Sequence, residues 1–249
     1  MKIKAYAKVN LCLKIFKGRI ESKHKLDSIF CIYKKLYDTI KITKNNQPVI
    51  YYKQHGKLIN IGEDLIAKTL SYLQSKYGWD INYKIVVKKR IPFGAGLGGG
   101  SSDAAAIINY LQTINKNTIL DFQDIAINLG SDIPFFLTGY PIARVSSWGD
   151  KVCPIVNFKP HIQLHINNIY SSTKTVFNAL ANDPEYKSRV DVDKVIHAYI
   201  YKQDFINLVY NDLTKYIIQN NKELQQEFKK YDSHSFFTGA GSTIVTIKG

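Results

Sequence analysis

No stretch of this sequence approaches the ~18 consecutive apolar residues that a membrane-spanning helix needs, so an integral membrane protein is excluded. Cysteine is scarce: Cys12, Cys31 and Cys153 are odd in number and lack CxxC spacing, which excludes a disulfide or zinc framework. All three are expected to be buried thiols in a reducing compartment. Met1 to Asn10 carries lysines but no apolar segment behind them, so a secretory leader is not expected and the protein is read as cytoplasmic. Acidic residues are few, 20 against 34 basic ones, and the net charge is +14. Arginine is scarcer still: Arg19, Arg90, Arg144 and Arg189 are the only four, and the rest of the basic charge is lysine. A basic balance favours anionic partners. Nucleic-acid readers, however, draw on the planar arginine fork, and the densest basic cluster here is only Lys88-Lys89-Arg90. Charge alone therefore leaves a lysine-coated solvated surface as the first reading and a nucleic-acid module as the alternative.

What is present is an ordinary globular composition, 45% hydrophobic and 22% charged over 249 residues, which excludes wholesale disorder. That length suits one large domain or two smaller ones sharing a cleft. Ile3, Ala5, Ala7, Val9, Leu11, Leu13 and Ile15 alternate with polar residues and predict a strand over 1–16. Further strands are expected at 39–43, 48–52 and 81–87. Leu65, Ile66, Leu70 and Leu73 predict an amphipathic helix over 64–77, stopped by Gly78. Helices are also expected from about Ser102, at 122–129, 174–182, 192–199 and 204–219, with strands at 162–166 and 244–247. Gly149, Pro154 and Pro160 interrupt the pattern between Trp148 and Pro160, placing a boundary between residues 1–153 and 154–249. Strands with interspersed helices and no strict βαβ rhythm predict an α+β fold.

Five of the fifteen glycines fall between Gly94 and Gly100, which marks this segment for a special backbone role. It reads Pro92-Phe93-Gly94-Ala95-Gly96-Leu97-Gly98-Gly99-Gly100-Ser101-Ser102. Successive glycines let N–H groups converge on a ligand without Cβ obstruction, as a polyphosphate requires. Ala104, Ile107, Ile108 and Leu111 follow at helical spacing, so the first-turn N–H groups and the positive dipole end face the same place. A Walker loop is excluded, because no lysine occurs between Gly94 and Asp103. Gly94, Gly96 and Gly99 satisfy GxGxxG with Asp121 beyond, but Pro92 and Phe93 intrude between strand and turn, and the serines have no part in a dinucleotide fingerprint.

The stretch from Ile91 to Ala106 resembles the second motif of the galactokinase, homoserine kinase, mevalonate kinase and phosphomevalonate kinase superfamily. Within it, the stretch is most similar to the kinases acting on CDP-linked methylerythritol in the non-mevalonate isoprenoid route. Ala5-Tyr6-Ala7-Lys8-Val9-Asn10-Leu11 is similar to that family's P-A-K-L-N-L. Leu129 to Phe136 is similar to its L-G-A-D-V-P-F-F, and Thr238-Gly239-Ala240-Gly241-Ser242 to the third glycine motif. The resemblance implies a two-domain kinase with its active site in the inter-domain cleft: an N-terminal ATP-binding and catalytic half and a C-terminal substrate-binding half. It implies transfer of the γ-phosphate of ATP to the 2-hydroxyl of the methylerythritol unit, a small-molecule partner, and neither nucleic acid nor membrane; homoserine or mevalonate kinase chemistry is the alternative within the superfamily. Oligomeric state is left unassigned.

The same resemblance implies that Lys8 and Asp132 meet at the phosphoryl acceptor, Asp132 taking the hydroxyl proton and Lys8 offsetting phosphate charge. An adjacent ammonium makes a carboxylate a weaker base, which a loose transition state tolerates. Residues 92–102 are implied to hold ATP. Asn10, His24, Phe30, Thr173 and Phe177 are implied to hold the substrate, with His24 reading the cytosine edge and Phe177 stacking on it. The family's tyrosine before that histidine is Lys23 here, so one face of the expected aromatic sandwich is lost. Magnesium is expected with ATP, Ser102 and Asp103 being the candidate ligands. Asp64 replaces a family asparagine and has no assigned role. The chain stops at Gly249, soon after the last strand, where the family continues with another helix, so a trimmed C-terminal domain is expected.

Overall fold

The computed structural model describes the chain except residues 21, 22, 158, 233 and 249, and at 19, 20, 23 and 248 it describes the backbone only. The replacement of the family tyrosine by Lys23 therefore concerns a side chain outside the described residues.

The N-terminal strand β1 (Lys2–Ile20) is longer than alternation predicts and runs antiparallel along an equally long β2 (Lys23–Lys44). The pairing shifts register between Tyr6 and Ala7, between Asn10 and Cys12, and between Ile15 and Arg19. Such irregularities bend a strand and re-aim its side chains. β2 accordingly serves two neighbours. Next come β3 (Val49–Gln54), β4 (Lys57–Ile59), α1 (Leu65–Tyr77) and β5 (Tyr83–Lys88). Thr39–Lys44 of β2 pairs with β5, which lies parallel to β3. α2 (Gly99–Gln112), α3 (Phe122–Asn128) and α4 (Ile133–Thr138) precede a hairpin of β6 (Ile142–Ser147) and β7 (Lys151–Pro154). Leu26–Cys31 of β2 pairs with β6. Among the described residues these strands form one seven-stranded sheet.

Helices α1 and α2 cover this sheet. Ile66, Leu70 and Leu73 of the first and Ala104, Ile107, Ile108 and Leu111 of the second are buried in one cluster with Ile40, Ile42, Ile85 and Val87 of the strands. Each fully buried isoleucine or leucine stabilises the fold by about 1.5–3 kcal/mol, whereas α2 alone in water would be marginal. Asp64 accepts a hydrogen bond from Ala67 N and from the Tyr52 hydroxyl, and Gly78 closes the helix in the left-handed conformation. Asp64 is thus a helix cap. Asp121 caps α3 by accepting from Asp124 N, so it has no part in a dinucleotide site.

The C-terminal half contains β8 (His161–His165), α5 (Thr173–Ala181), α6 (Val192–Ile200), α7 (Thr214–Asn220), α8 (Lys222–Phe228), β9 (Ser235–Phe237) and β10 (Ile244–Lys248). Its three strands form a second antiparallel sheet in the order β8-β10-β9. The single helix expected over 204–219 is broken into a short 3-10 turn, Ile206–Leu208, and α7. Asn211 is the reason. Leu13 N donates to Tyr210 O and Asp212 N to Leu13 O, so this segment lies along β1 instead of coiling. The Asn211 side-chain amide donates to the carbonyls of Phe237 and Gly239, both at 2.7 Å.

The two halves share their interior. Leu13, Phe30 and Val145 of the first sheet are buried in one cluster with Val176, Leu213, Phe237 and Ile244. The expected division at 153/154 falls inside β7, one residue before its end. Cys12 and Cys31 are buried, and burial pushes both thiols up to about 12. Cys153, also expected inside, is exposed. Among the described residues, no helix is long and apolar enough to cross a membrane.

Candidate active site

The interface of the two halves encloses a cavity of about 420 Å³ built from seven stretches of chain. From β1 come Lys8, Asn10, Leu13 and Ile15. Residues two apart share one face of a strand, and the register shift after Asn10 explains why the lining passes from even to odd positions. β2 contributes His24, Leu26 and Phe30, the glycine loop Gly94, Gly96 and Gly98, and the α3–α4 link Ser131 and Asp132. The C-terminal half adds Thr173, Phe177, Leu213, Gly239 and Ala240.

The glycine loop is pinned through its carbonyls. Gly94 O accepts from Ser242 N, Ala95 O from Thr243 N, Leu97 O from Lys8 N and Gly98 O from Ser102 N. Among the described residues, no N–H of residues 94–100 donates to a protein acceptor, which leaves these groups for a ligand. Gly98, in the left-handed conformation, precedes α2 with no side-chain cap, so the helix's first N–H groups are equally unclaimed. The second and third glycine motifs interlock: a Cβ on Gly96 would lie 1.9 Å from Thr238 O, and one on Gly241 would lie 1.9 Å from Gly96 N. Ala95 and Leu97 turn their side chains into the core.

Lys8 is 3% exposed, and its stem runs so close to the loop that a Cβ on Gly98 would meet Lys8 Cγ at 3.0 Å. Its ammonium donates to Asn10 Oδ1 at 2.5 Å, lies 3.3 Å from Asp132 Oδ2 and stands 4.9 Å from the centre of the Phe30 ring. Asn10 is itself fixed: its side-chain amide donates to Ser28 Oγ at 3.1 Å, and its backbone N–H donates to Thr238 Oγ at 2.9 Å. Asp132 occupies the N-cap position of α4 yet caps nothing, so its carboxylate is committed to Lys8 and the cavity.

At the other end His24 is buried, with its ring stacked on Phe177 at 5.6 Å between centres and 19° between planes. Two stacking gaps of ~3.5 Å need about 7 Å, so a flat base stacks on the pair from outside or moves His24 aside. His24 Nδ1 is 3.4 Å from Phe16 O.

Ten of the expected site residues therefore line one cavity: Lys8, Asn10, His24, Phe30, Gly94, Gly96, Gly98, Asp132, Thr173 and Phe177. Others do not. Phe93 is 51% exposed, beneath the Lys89 ammonium at 5.3 Å, and Pro92 beside it is also outside the lining. Gly99 and Gly100 form the first turn of α2, and Ser101 Oγ would be 3.6 Å from a Cβ on Gly130. Ser102 is buried and faces a separate groove between α2 and β1. Asp103, a candidate metal ligand, is 1% exposed and accepts from Lys89 at 2.7 Å, and Asp38 accepts from the same ammonium at 2.5 Å. Burial pushes the Asp103 carboxyl up to about 7, with Lys89 pulling it down and Asp38 adding to the rise. Burial acts against the Lys89 charge, but the two carboxylates outweigh it and hold that ammonium above its usual range.

Ser131 lines the cavity without being among the expected site residues. Its place beside Asp132 in the Leu129–Phe136 stretch is the signal that could have found it, whereas Asn211 lies outside the lining and acts by holding the Phe237 and Gly239 carbonyls.

The chain matches the family described as GHMP kinases N terminal domain over residues 64–140, which contains the glycine loop and Asp132. Fold and loop thus define a small-molecule kinase of the GHMP class. Over its full length it is 33% identical to 4-diphosphocytidyl-2-C-methyl-D-erythritol kinase of Ureaplasma parvum serovar 3, covering 100% of this chain and 96% of that one. The corresponding kinase of Thermosipho melanesiensis is 32% identical, with 98% and 89% covered. The chain belongs to the 4-diphosphocytidyl-2-C-methyl-D-erythritol kinase family. A crystal structure of a 4-(cytidine 5'-diphospho)-2C-methyl-D-erythritol kinase superimposes with a TM-score of 0.75 at 26% identity, covering 99% of this chain and 90% of that chain. The fold is shared more widely: a mevalonate diphosphate decarboxylase from Legionella pneumophila reaches 0.62 at 14% identity, with 99% and 91% covered.

Proposed function

We propose that this protein transfers the γ-phosphate of ATP to the 2-hydroxyl of 4-diphosphocytidyl-2-C-methyl-D-erythritol. The observation that carries this reading is that Lys8, Asp132 and the glycine loop meet in one cavity whose far end holds His24 and Phe177. The N–H groups of residues 94–100 and the start of α2 grip the triphosphate. Phosphoryl transfer runs through a loose transition state, so positioning and charge supply most of the catalysis. Asp132 accepts the proton of the attacking hydroxyl late in the step. Lys8, oriented by Asn10, offsets charge on the transferring group. His24, Phe177, Thr173 and Phe30 hold the cytidine and erythritol parts. Residues 1–153 act as the ATP-binding and catalytic half and residues 154–249 as the substrate-binding half. The protein works in the cytoplasm.

Magnesium fits as a passenger of the nucleotide. Among the described residues, no group of three or more His, Cys, Asp or Glu side chains is placed to hold a metal ion, and Asp103 is committed to Lys89. Ser101 Oγ and Asp132 are the oxygen donors beside the loop, which suits an ion held mostly by phosphate and water. When bound, it neutralises charge on the phosphate oxygens.

The test is a coupled ADP-release assay with purified protein and three acceptors: the CDP-linked methylerythritol, homoserine and mevalonate. Release is expected with the first alone. Faster turnover of either other acceptor overturns the substrate assignment.

A further inference from the structure

The turn joining β6 and β7 carries two residues at positive φ, Ser147 at 65° and Gly149 at 96°. A non-glycine residue there is uncommon, so the surroundings must hold this turn in shape. Gly149 N donates to Ser146 O at 3.1 Å, and Asp150 Oδ1 accepts from Trp148 N at 2.9 Å. The Trp148 ring is buried, with the Lys25 ammonium 5.3 Å from its centre.

This turn rests on the α3–α4 link. A Cβ on Gly149 would lie 2.0 Å from the carbonyl oxygen of Ser131, and 2.7 and 2.8 Å from its carbonyl carbon and Cα. Main chain packs on main chain there, with no flexible side chain to give way. The residue after Ser131 is Asp132, which makes no capping bond and pairs with Lys8. The place of its carboxylate is therefore set by Lys8 and by its own backbone, and the backbone is buttressed at Gly149.

We propose that Gly149 is a positioning residue for phosphoryl transfer: its side-chain-free contact with Ser131 fixes where the Asp132 carboxylate stands relative to Lys8 and the cavity. This inference rests on the assignment of Asp132 as the proton acceptor. Any Cβ at position 149 pushes Ser131, and Asp132 with it, out of line. Displacements of about 1 Å can cost on the order of 10²-fold in rate.

The experiment is steady-state kinetics on a set of variants. Gly149→Ala is expected to lower kcat by roughly ten- to a hundredfold, with both KM values within about twofold of wild type. Alanine is strained at positive φ, so Gly139→Ala is the matched control. Gly139 also has positive φ, 70°, at the far end of α4, but nothing lies within 4 Å of its added Cβ. It is expected to keep the wild-type kcat. Gly149→Asn tolerates positive φ better yet still carries a Cβ, and it is expected to stay as slow as Gly149→Ala. If Gly149→Ala does not fold, Asp150→Ala loosens the turn without adding an atom and is expected to lower kcat several-fold at unchanged KM. In an Asp132→Asn background neither change slows the enzyme further, because the turn acts through that carboxylate. A wild-type kcat in Gly149→Ala, or in Asp150→Ala where the former does not fold, overturns the proposal. So do additive losses in the double variants, recovery in Gly149→Asn, or an equal loss in Gly139→Ala. A wild-type kcat in Asp132→Asn alone instead overturns the role of Asp132 on which the proposal rests.

Discussion

The Lys8 ammonium lies 3.3 Å from the Asp132 carboxylate, and the lysine is the buried partner: its side chain is 4% exposed against 26% for the aspartate. The ammonium proposed to attract phosphate is shielded from water, while the carboxylate proposed to take a proton still opens to the cavity. Removing either is expected to act on turnover. Asp132→Asn and Lys8→Met should each lower kcat by on the order of 10²-fold or more. Circular dichroism and thermal melting of the purified variants would show a retained fold for Asp132→Asn. Near-wild-type rates in that variant would remove Asp132 from the reaction.

The interlock of the two glycine motifs gives a stability prediction. Gly241→Ala places a Cβ 1.9 Å from Gly96 N, and no rotamer change relieves a collision with backbone. The cost should be about 1–3 kcal/mol, as for overpacking elsewhere in protein interiors. A urea titration would read it as a lower midpoint, and nucleotide binding should weaken in parallel because the same carbonyl contacts shape the loop proposed to hold the phosphates. An unchanged midpoint would mean that the loops separate without penalty.

In the proposed function His24 and Phe177 hold the acceptor and not the nucleotide. Base stacking contributes about 1–3 kcal/mol, so Phe177→Ala should raise the KM for the cytidine-linked acceptor by roughly 5- to 150-fold. The KM for ATP should not move. His24→Ala is expected to act in the same direction. If the acceptor KM is unaffected in both, the cytidine lies elsewhere.

Asp103 makes stability depend on pH. Its carboxyl in the folded protein sits at about 7, raised chiefly by burial, against about 3.9 in an unfolded chain. Between these values the native state holds the extra proton, so this group's contribution is fully present at low pH and is lost as pH rises through about 7. The wild-type urea midpoint should fall between pH 5.5 and pH 8.5, and Asp103→Asn should show a flatter profile. A steeper fall in the variant would contradict the sign.

Much of this architecture was legible in the chain because local pattern and tertiary role agree. Leu65 to Tyr77 and Ala104 to Leu111 show helical spacing whose apolar stripe is the face buried on the sheet. The glycine–serine block and the stretch around Lys8 are recognisable from local sequence alone. The β6–β7 hairpin was missed because Arg144 interrupts its apolar run. That arginine is satisfied only in three dimensions, bridging Asp27 of β2 at 2.7 Å and Asp193 of α6 at 2.7 Å. α4 is too short to show helical spacing in the sequence, and its Pro134 is accommodated because proline in a first helical turn has no N–H to lose. The break at Asn211 could not be foreseen from helical spacing, since its cause is a partnership with carbonyls near residue 238. Gly149 looked like punctuation between domains, and only its approach to Ser131 shows a close-packed contact.

The mutual fit of the Gly94–Gly98 and Thr238–Ser242 segments has a consequence for how such a chain can change. Each segment is the mould in which the other sets, so a graft that exchanges the C-terminal portion between distant relatives must bring a compatible partner surface or forfeit the shape of the glycine loop. Fragments severed near residue 153 and mixed would regain activity only by rejoining along that seam. Substitutions on its two sides are therefore constrained to arise as matched pairs.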